Sequence, residues 1–279
     1  MAAYAAAFGA AAAVIMLMWD YNDIAAAFCA DVAATAVIFL FSVGLDNSSM
    51  YDPYWSVAPL PIALYWALGW GSGPVSIRAI AVMVLVAAWG VRLTYNWLRQ
   101  WKGLVHEDWR YADFRSKTGR FYWPVSFLGI HLFPTVMVFL GCLSMYPVME
   151  AGPTDLSFLD GVALFVTAGA IIIETVADKQ LSRFVTSRPP REAILASGLW
   201  AYSRHPNYFG EITFWWGLYL FSLAADGFHW WTIIGPLAIT FMFITVSIPM
   251  MEKRMLGRRP HYAERQKKVS MLVPWFPKK

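Results

Sequence analysis

Eight apolar runs, each close to the roughly 20 residues needed to cross the hydrocarbon core of a bilayer, divide this chain almost from end to end. They cover Ala2 to Trp19, Ala25 to Gly44, Tyr54 to Trp70, Ser76 to Trp97, Tyr122 to Val148, Phe158 to Ala177, Glu211 to Ala225 and Trp230 to Met251. Only 14% of the 279 residues are charged and 58% are hydrophobic, which excludes a soluble domain, where about a quarter would be charged. The expected fold is an all-α integral membrane protein, a polytopic bundle of seven or eight transmembrane helices in one membrane domain, 1–279. The first two runs set the count. Only Asp20 to Asp23 separate them, and Asp31 in the second is costly at mid-bilayer, so one of the pair is read as short, interfacial or fused with the other. MAAYAAAFGAAAAVIMLMW carries no Lys or Arg before its apolar stretch and is read as retained, not as a cleaved signal.

The cations set the orientation. Of 22 lysines and arginines, 20 fall in Arg99 to Arg120, Lys179 to Arg204 and Lys253 to Lys279, leaving only Arg78 and Arg92 elsewhere. Two spans separate each stretch from the next, so all three emerge on one face, the cytoplasmic one by the positive-inside rule. The same parity places Asp46 to Asp52 on that face, and Glu150 to Asp155 and Asp226 opposite. A net charge of +4 spread over span ends points to lipid headgroups and a phosphorylated cofactor, with no nucleic-acid partner. Cys29, Cys142, His131 and His229 stand alone at no ligand spacing, so no metal is expected. The glycines of GWGSGP, Gly69 to Gly73, lack dinucleotide-fingerprint spacing.

Polar chemistry concentrates near the basic stretches. Arg92, Tyr95, Asn96 and Arg99 lead into HEDWRY, His106 to Tyr111. Arg92 either snorkels to the headgroups or turns inward. Glu174 and Asp178, four apart, put two carboxylates on one helix face, where they coordinate a cation, line a pore or accept hydrogen bonds from a nucleotide's hydroxyls and amide. Arg183, Arg188 and Arg191 suit phosphate, from a cofactor or a lipid. GLWAYSRHPNYFGE, Gly198 to Glu211, packs aromatic, cationic, imidazole, amide and acidic groups together just before an apolar helix. The tail from Glu252, with Lys253, Arg254, Tyr262 and Arg265, is amphipathic enough to lie on the membrane surface, or to pack back as segment 252–279 over a cofactor pocket.

Four strings, RLTYNWLRQWKG, EDWRY, GLWAYSRHPNYFGEITFWWG and HYAERQKKVSMLVPWF, give the chain a family likeness. From about Asp46 to Phe276 it resembles the membrane steroid 5-alpha-reductases and their bacterial relatives. The resemblance implies a seven-helix enzyme that uses NADPH to reduce the 4,5 carbon-carbon double bond of a 3-oxo-4-ene steroid or similar lipophilic enone entering from the bilayer. It implies contacts near the nicotinamide and ribose for Asp178, Asn207, Glu211 and Trp215. Tyr202, Arg204, His205 and Tyr208 lie in the same motif, and Arg183, Arg188 and Arg191 fall to the phosphates. Glu174 stands where some members carry an amide, and Glu252, Lys253, Tyr262 and Arg265 fall in the tail's contact region. For the proton, the family's acid corresponds to Asp52, a shorter carboxyl than the usual glutamate, and its tyrosine to Trp89 or, with one gap, to Tyr95. Tyr95 is preferred because it has a proton to give.

Two rival classes stay open. RHPxY strings such as Arg204 to Tyr208 also occur in membrane S-adenosylmethionine-dependent methyltransferases of isoprenylcysteine or phospholipids, and a non-enzymatic sterol-binding or channel-like protein would use Asp178, Asn207 and Glu211 for packing alone. A bacterial-type inner membrane is the expected location, with the active site and C-terminus on the cytoplasmic side.

Overall fold

A computed structural model of the chain describes residues 2–69, 74–225 and 229–278. The glycines Gly71 and Gly73, the span end Trp70 and Asp226 lie outside the described residues. Every regular element among the described residues is a helix, without a strand, and five helices are long and apolar enough to cross a membrane. Among the described elements, α1 is Ala2–Leu17 and α2 is Asp23–Gly44; α3 (Tyr54–Val57) and α4 (Pro59–Ala67) are short; α5 is Ile77–Gln100 and α6 is Trp109–Cys142. Then come α7 (Tyr146–Glu150), α8 (Phe158–Thr186), α9 (Pro206–Ala224), α10 (Trp230–Arg258) and α11 (Tyr262–Lys268). The spanning five are α2, α5, α6, α8 and α10. The chain is an integral, polytopic, all-α membrane protein.

The first pair is resolved as two helices, not one fused span. Asn22 caps α2, its Oδ1 accepting from the Ile24 and Ala25 amides at 3.0 and 3.2 Å, and α1 lies against α2 through Ala3, Ala7, Ala34 and Ile38. Sixteen residues make α1 about 24 Å long, shorter than the hydrocarbon core. Asp31 is tolerated because the Tyr54 hydroxyl donates to its Oδ1 at 2.6 Å, giving a buried carboxyl the partner it requires.

Several boundaries move from the apolar pattern for local reasons. The run from Tyr54 splits around Pro59, and the run ending at Val148 breaks after Cys142 and restarts at Tyr146, with Pro147 next. Gly119, at φ +51°, a conformation few residues but glycine adopt, bends α6 between the polar Trp109–Thr118 turn and the apolar part that starts at Tyr122. Helices α8 and α10 overrun their apolar stretches, so Glu252, Lys253 and Arg254 are helical and not part of a loose tail.

Helices α8 and α9 pack closely along their length. A Cβ at Gly217 would lie 2.2 Å from Thr167 Oγ1, and one at Gly210 2.8 Å from Glu174 Cβ. Gly217→Val is therefore expected to cost about 1–3 kcal/mol by overpacking, read as a lower unfolding midpoint in detergent. An unchanged midpoint would show that the two helices separate freely.

The ends of the bundle sort as the spacing of cations requires. At one end Arg78 grips Asp160 with two hydrogen bonds, 2.6 and 2.9 Å, and donates to Thr154. At the other, Asn47 Nδ2 donates to the Leu104 carbonyl at 2.7 Å, Arg115 pairs with Asp46, Arg204 pairs with Glu252, and Arg254 covers the Trp109 ring. All three basic stretches and the Asp46 to Asp52 segment thus meet at one end.

Candidate functional site

The deepest part of this end is a carboxylate between two indoles. Trp89 of α5 donates to Glu211 Oε2 at 2.9 Å, and Trp215, one turn along α9, donates to Oε1 at 2.8 Å. Trp89 also stacks on Phe214, with centroids 4.9 Å apart. Trp89, Glu211 and Trp215 are buried, so both oxygens of Glu211 are satisfied by protein. The one polar hydrogen of Trp89 is thus committed to Glu211.

One turn nearer the end, two helix faces meet. Arg92 and Asn96, four apart on α5, confront Glu174 and Asp178, four apart on α8. Arg92 is turned inward, its side chain 11% exposed, with Nη1 2.8 Å from Asp178 Oδ2 and Nη2 2.6 Å from Glu174 Oε1. Asn96 Nδ2 donates to Asp178 Oδ2 at 3.1 Å, and Asn207, at the start of α9, donates to Oδ1 at 3.4 Å. The Arg92 to Glu174 contact is close but not aligned as a hydrogen bond. Arg92 Nε and Nη2, Glu174 Oε2 and Asn207 Oδ1 remain buried without a hydrogen-bond partner. Three carboxylates, counting Glu211, face one guanidinium, so the site is short of cation charge, and its open atoms are two donors on Arg92 and two acceptors, one on Glu174 and one on Asn207. Hydroxyl and amide N–H groups fit it and a phosphate does not. No group of His, Cys, Asp and Glu able to hold a metal occurs among the described residues.

The second feature is an acid and a tyrosine. Asp52 lies between α2 and α3 and accepts a hydrogen bond from the Tyr111 hydroxyl, with Arg110 Nη2 3.5 Å away. Burial pushes its carboxyl up to about 6, against the opposing charge of Arg110 and the Tyr111 hydrogen bond. Asp108 aligns this arrangement: its Oδ1 accepts from the Arg110 amide at 2.9 Å, capping α6, and from Arg110 Nε at 2.8 Å. The Asp108 amide donates to Ser49 Oγ at 2.8 Å, tying HEDWRY to the loop that carries Asp52. Tyr95 is not brought to this acid. It is 58% exposed, with the Arg99 guanidinium over its ring. Helical spacing could not separate the two tyrosines, although EDWRY already spelled four polar groups in five residues. Tyr208 stacks on His205, with centroids 5.3 Å apart, and packs on Phe243.

The RHPNY motif and the tail hold each other. Arg204 donates from Nε to Glu252 at 2.6 Å and from Nη1 to the Gln266 and Val269 carbonyls, both at 2.8 Å. His205 Nε2 and Gln266 Nε2 also meet Glu252, at 3.2 and 2.7 Å. Arg265 donates to the Trp200 carbonyl, the Trp275 amide to the Tyr202 carbonyl, and Phe276 packs edge-on against the Tyr202 ring. Tyr262 is buried beneath this clasp. Arg204, His205, Glu252 and Arg265 thus bind protein here, whereas Lys253 and Arg183 are exposed. Arg188 and Arg191 line a separate cleft with Arg258 and Arg259.

The sequence profile of a family described as a protein of unknown function (DUF1295) matches residues 38–269. The chain belongs to the DUF1295 family. It is also similar to an uncharacterized protein of Schizosaccharomyces pombe, 29% identical over 264 residues, which cover 85% of this chain and 76% of that protein. No solved structure matches. The DUF1295 span takes in Asp52, Tyr111, Arg92, Glu174, Asp178, Asn207, Glu211 and the Arg204 to Glu252 clasp, and leaves α1 outside.

Proposed function

We propose that this DUF1295 protein is a membrane oxidoreductase that reduces the 4,5 double bond of 3-oxo-4-ene steroids or similar lipophilic enones with NADPH. The observation that carries the reading is that a site with open donors and acceptors on Arg92, Glu174 and Asn207, beside Asp178, and an acid-tyrosine pair, Asp52 and Tyr111, lie at one end of the bundle. The resemblance of the RLTYNW, EDWRY and RHPNYFGE strings to steroid 5-alpha-reductases supports it.

Asp178, Glu174 and Asn207 are the residues to hold the nicotinamide and ribose, because the open Glu174 Oε2 and Asn207 Oδ1 beside Asp178 accept from an amide and hydroxyls, and exposed cations such as Arg183 and Lys253 face the phosphates. The chemistry that a reduced nicotinamide would supply there is a hydride for the β carbon of the enone. Tyr111 and Asp52 polarise the ketone oxygen and hold the proton that completes reduction at the α carbon. The indole pair on Glu211 keeps the floor rigid and dry. Since NADPH is a cytosolic polyanion and the basic loops share this end, the site is assigned to the cytoplasmic face of a bacterial-type inner membrane.

The test titrates NADPH and S-adenosylmethionine in parallel against the purified protein in detergent, then follows NADPH oxidation on adding progesterone. Binding and consumption of NADPH with saturation of the 4,5 bond supports the reading. Binding of S-adenosylmethionine alone makes RHPNY methyltransferase text, and binding of neither removes the enzyme claim.

The raised Asp52 carboxyl gives a pH dependence. The active form carries the proton, and the protonated fraction falls as pH rises through about 6, so turnover is expected to decline from pH 5 to pH 8, tenfold per unit once well above the midpoint. Asp52→Asn is expected to flatten that limb. A profile that rises over the same range refutes the assignment.

A further inference from the structure

Four arginines surround a cleft of about 420 Å³ at the same end of the bundle but apart from the Asp178 site. One wall is the last turn of α8 with Phe184 and Val185, followed by Arg188 and Arg191; the other is Arg258, which closes α10, and Arg259 just beyond it. The walls are tied together by Arg259 Nε, which donates to the Arg191 carbonyl at 3.0 Å. Arg188 is held at φ +50°, a backbone conformation that non-glycine residues seldom adopt. None of these four guanidiniums is paired with a carboxylate among the described residues; the nearby Glu192 faces His261 at 3.6 Å. Four like charges around so small a volume repel one another, and an anion within it relieves that repulsion.

The apolar members identify the anion's source. The 29 residues of α8 make it about 43 Å long, the thickness of a bilayer with its headgroups, so Phe184 and the exposed Val185, two turns past the apolar run that ends at Ala177, put the cleft at headgroup level. We infer that the Arg188, Arg191, Arg258 and Arg259 cleft binds the phosphate of an anionic phospholipid, with Phe184 and Val185 beside its glycerol backbone. Guanidinium forks grip phosphate oxygens through paired hydrogen bonds. This inference does not rest on the oxidoreductase reading, and it takes Arg188 and Arg191 away from the cofactor.

The test uses the full chain, delipidated in neutral detergent, and measures binding of phosphatidylglycerol and of phosphatidylcholine by native mass spectrometry. Phosphatidylglycerol is expected to bind about tenfold or more tightly over phosphatidylcholine. The preference should fall to near parity in Arg188→Gln/Arg258→Gln, from the loss of two headgroup cations, and survive in Arg188→Lys/Arg258→Lys. Saturating NADPH or inorganic phosphate should leave it intact. Equal binding of the two lipids overturns the proposal, as does an undiminished preference in the glutamine pair. Displacement of phosphatidylglycerol by NADPH or inorganic phosphate assigns the cleft to a soluble phosphate and overturns the lipid. If the glutamine pair does not fold, the wild-type comparison and the lysine pair still decide. The lipid arms read the same whether or not NADPH binds elsewhere, so this inference and the proposed function fail separately.

Discussion

Asp52→Asn is expected to lower turnover of an enone by about 10²- to 10⁴-fold, the range of a positioned proton donor, with NADPH affinity nearly unchanged. The reason is local. The Asp52 carboxyl is buried, receives the Tyr111 hydroxyl, and is held protonated up to about pH 6, whereas an amide keeps the volume and loses the titratable proton. Tyr111→Phe should lose activity to a similar extent. Because the two groups act as one unit, the double variant should be about as slow as the slower single variant, not slower by their product. Tyr95→Phe, altering an exposed ring, should stay within a few-fold of wild type. Steady-state kcat together with equilibrium NADPH binding measures all four. A collapse of turnover in Tyr95→Phe with normal Tyr111→Phe would return the proton to the tyrosine preferred on sequence grounds.

The second large effect is expected on stability. Arg204 is 9% exposed and joins Glu252 to the Gln266 and Val269 carbonyls, so Arg204→Met leaves a partly buried carboxylate and two carbonyls short of donors. Breaking a buried pair from one side costs about 3–5 kcal/mol. His205 and Gln266 still reach Glu252, which places the expectation near 3 kcal/mol by the same rule. The loss should appear as a lower unfolding midpoint and as protease cleavage after Arg258, where the tail leaves α10. A tail as protected in Arg204→Met as in wild type would mean that the clasp is held instead by Arg265 on the Trp200 carbonyl, the Trp275 amide on the Tyr202 carbonyl and Phe276 on the Tyr202 ring.

This clasp shows where sequence reading stops. RHPNY followed by a helix reads as ligand-binding text, and its arginine and histidine have the right chemistry for it. Their partners, Glu252, Gln266 and Val269, lie 47 to 65 residues away, and no local pattern announces which distant acid a cation will meet. Arg92 is a similar case. Near a helix end its long stem permits snorkelling, and only the rotation of α5 against α8 turns it onto Glu174 and Asp178.

Composition and the spacing of apolar runs determined that the chain spans a membrane as helices, because a backbone in lipid must satisfy its own hydrogen bonds. The grouping of 20 cations into three stretches determined which loops share an end, and the fourfold spacing of Glu174 and Asp178 put both carboxylates on one face. The tertiary structure alone decided that Tyr111, and not Tyr95, meets Asp52, and that Arg188 and Arg191 join Arg258 and Arg259 instead of Asp178. Helical periodicity sets the angle between residues of one helix. The rotation and depth of each helix against its neighbours follow from packing, here from α9 lying so close on α8 at Gly210 and Gly217, and from the bend of α6 at Gly119.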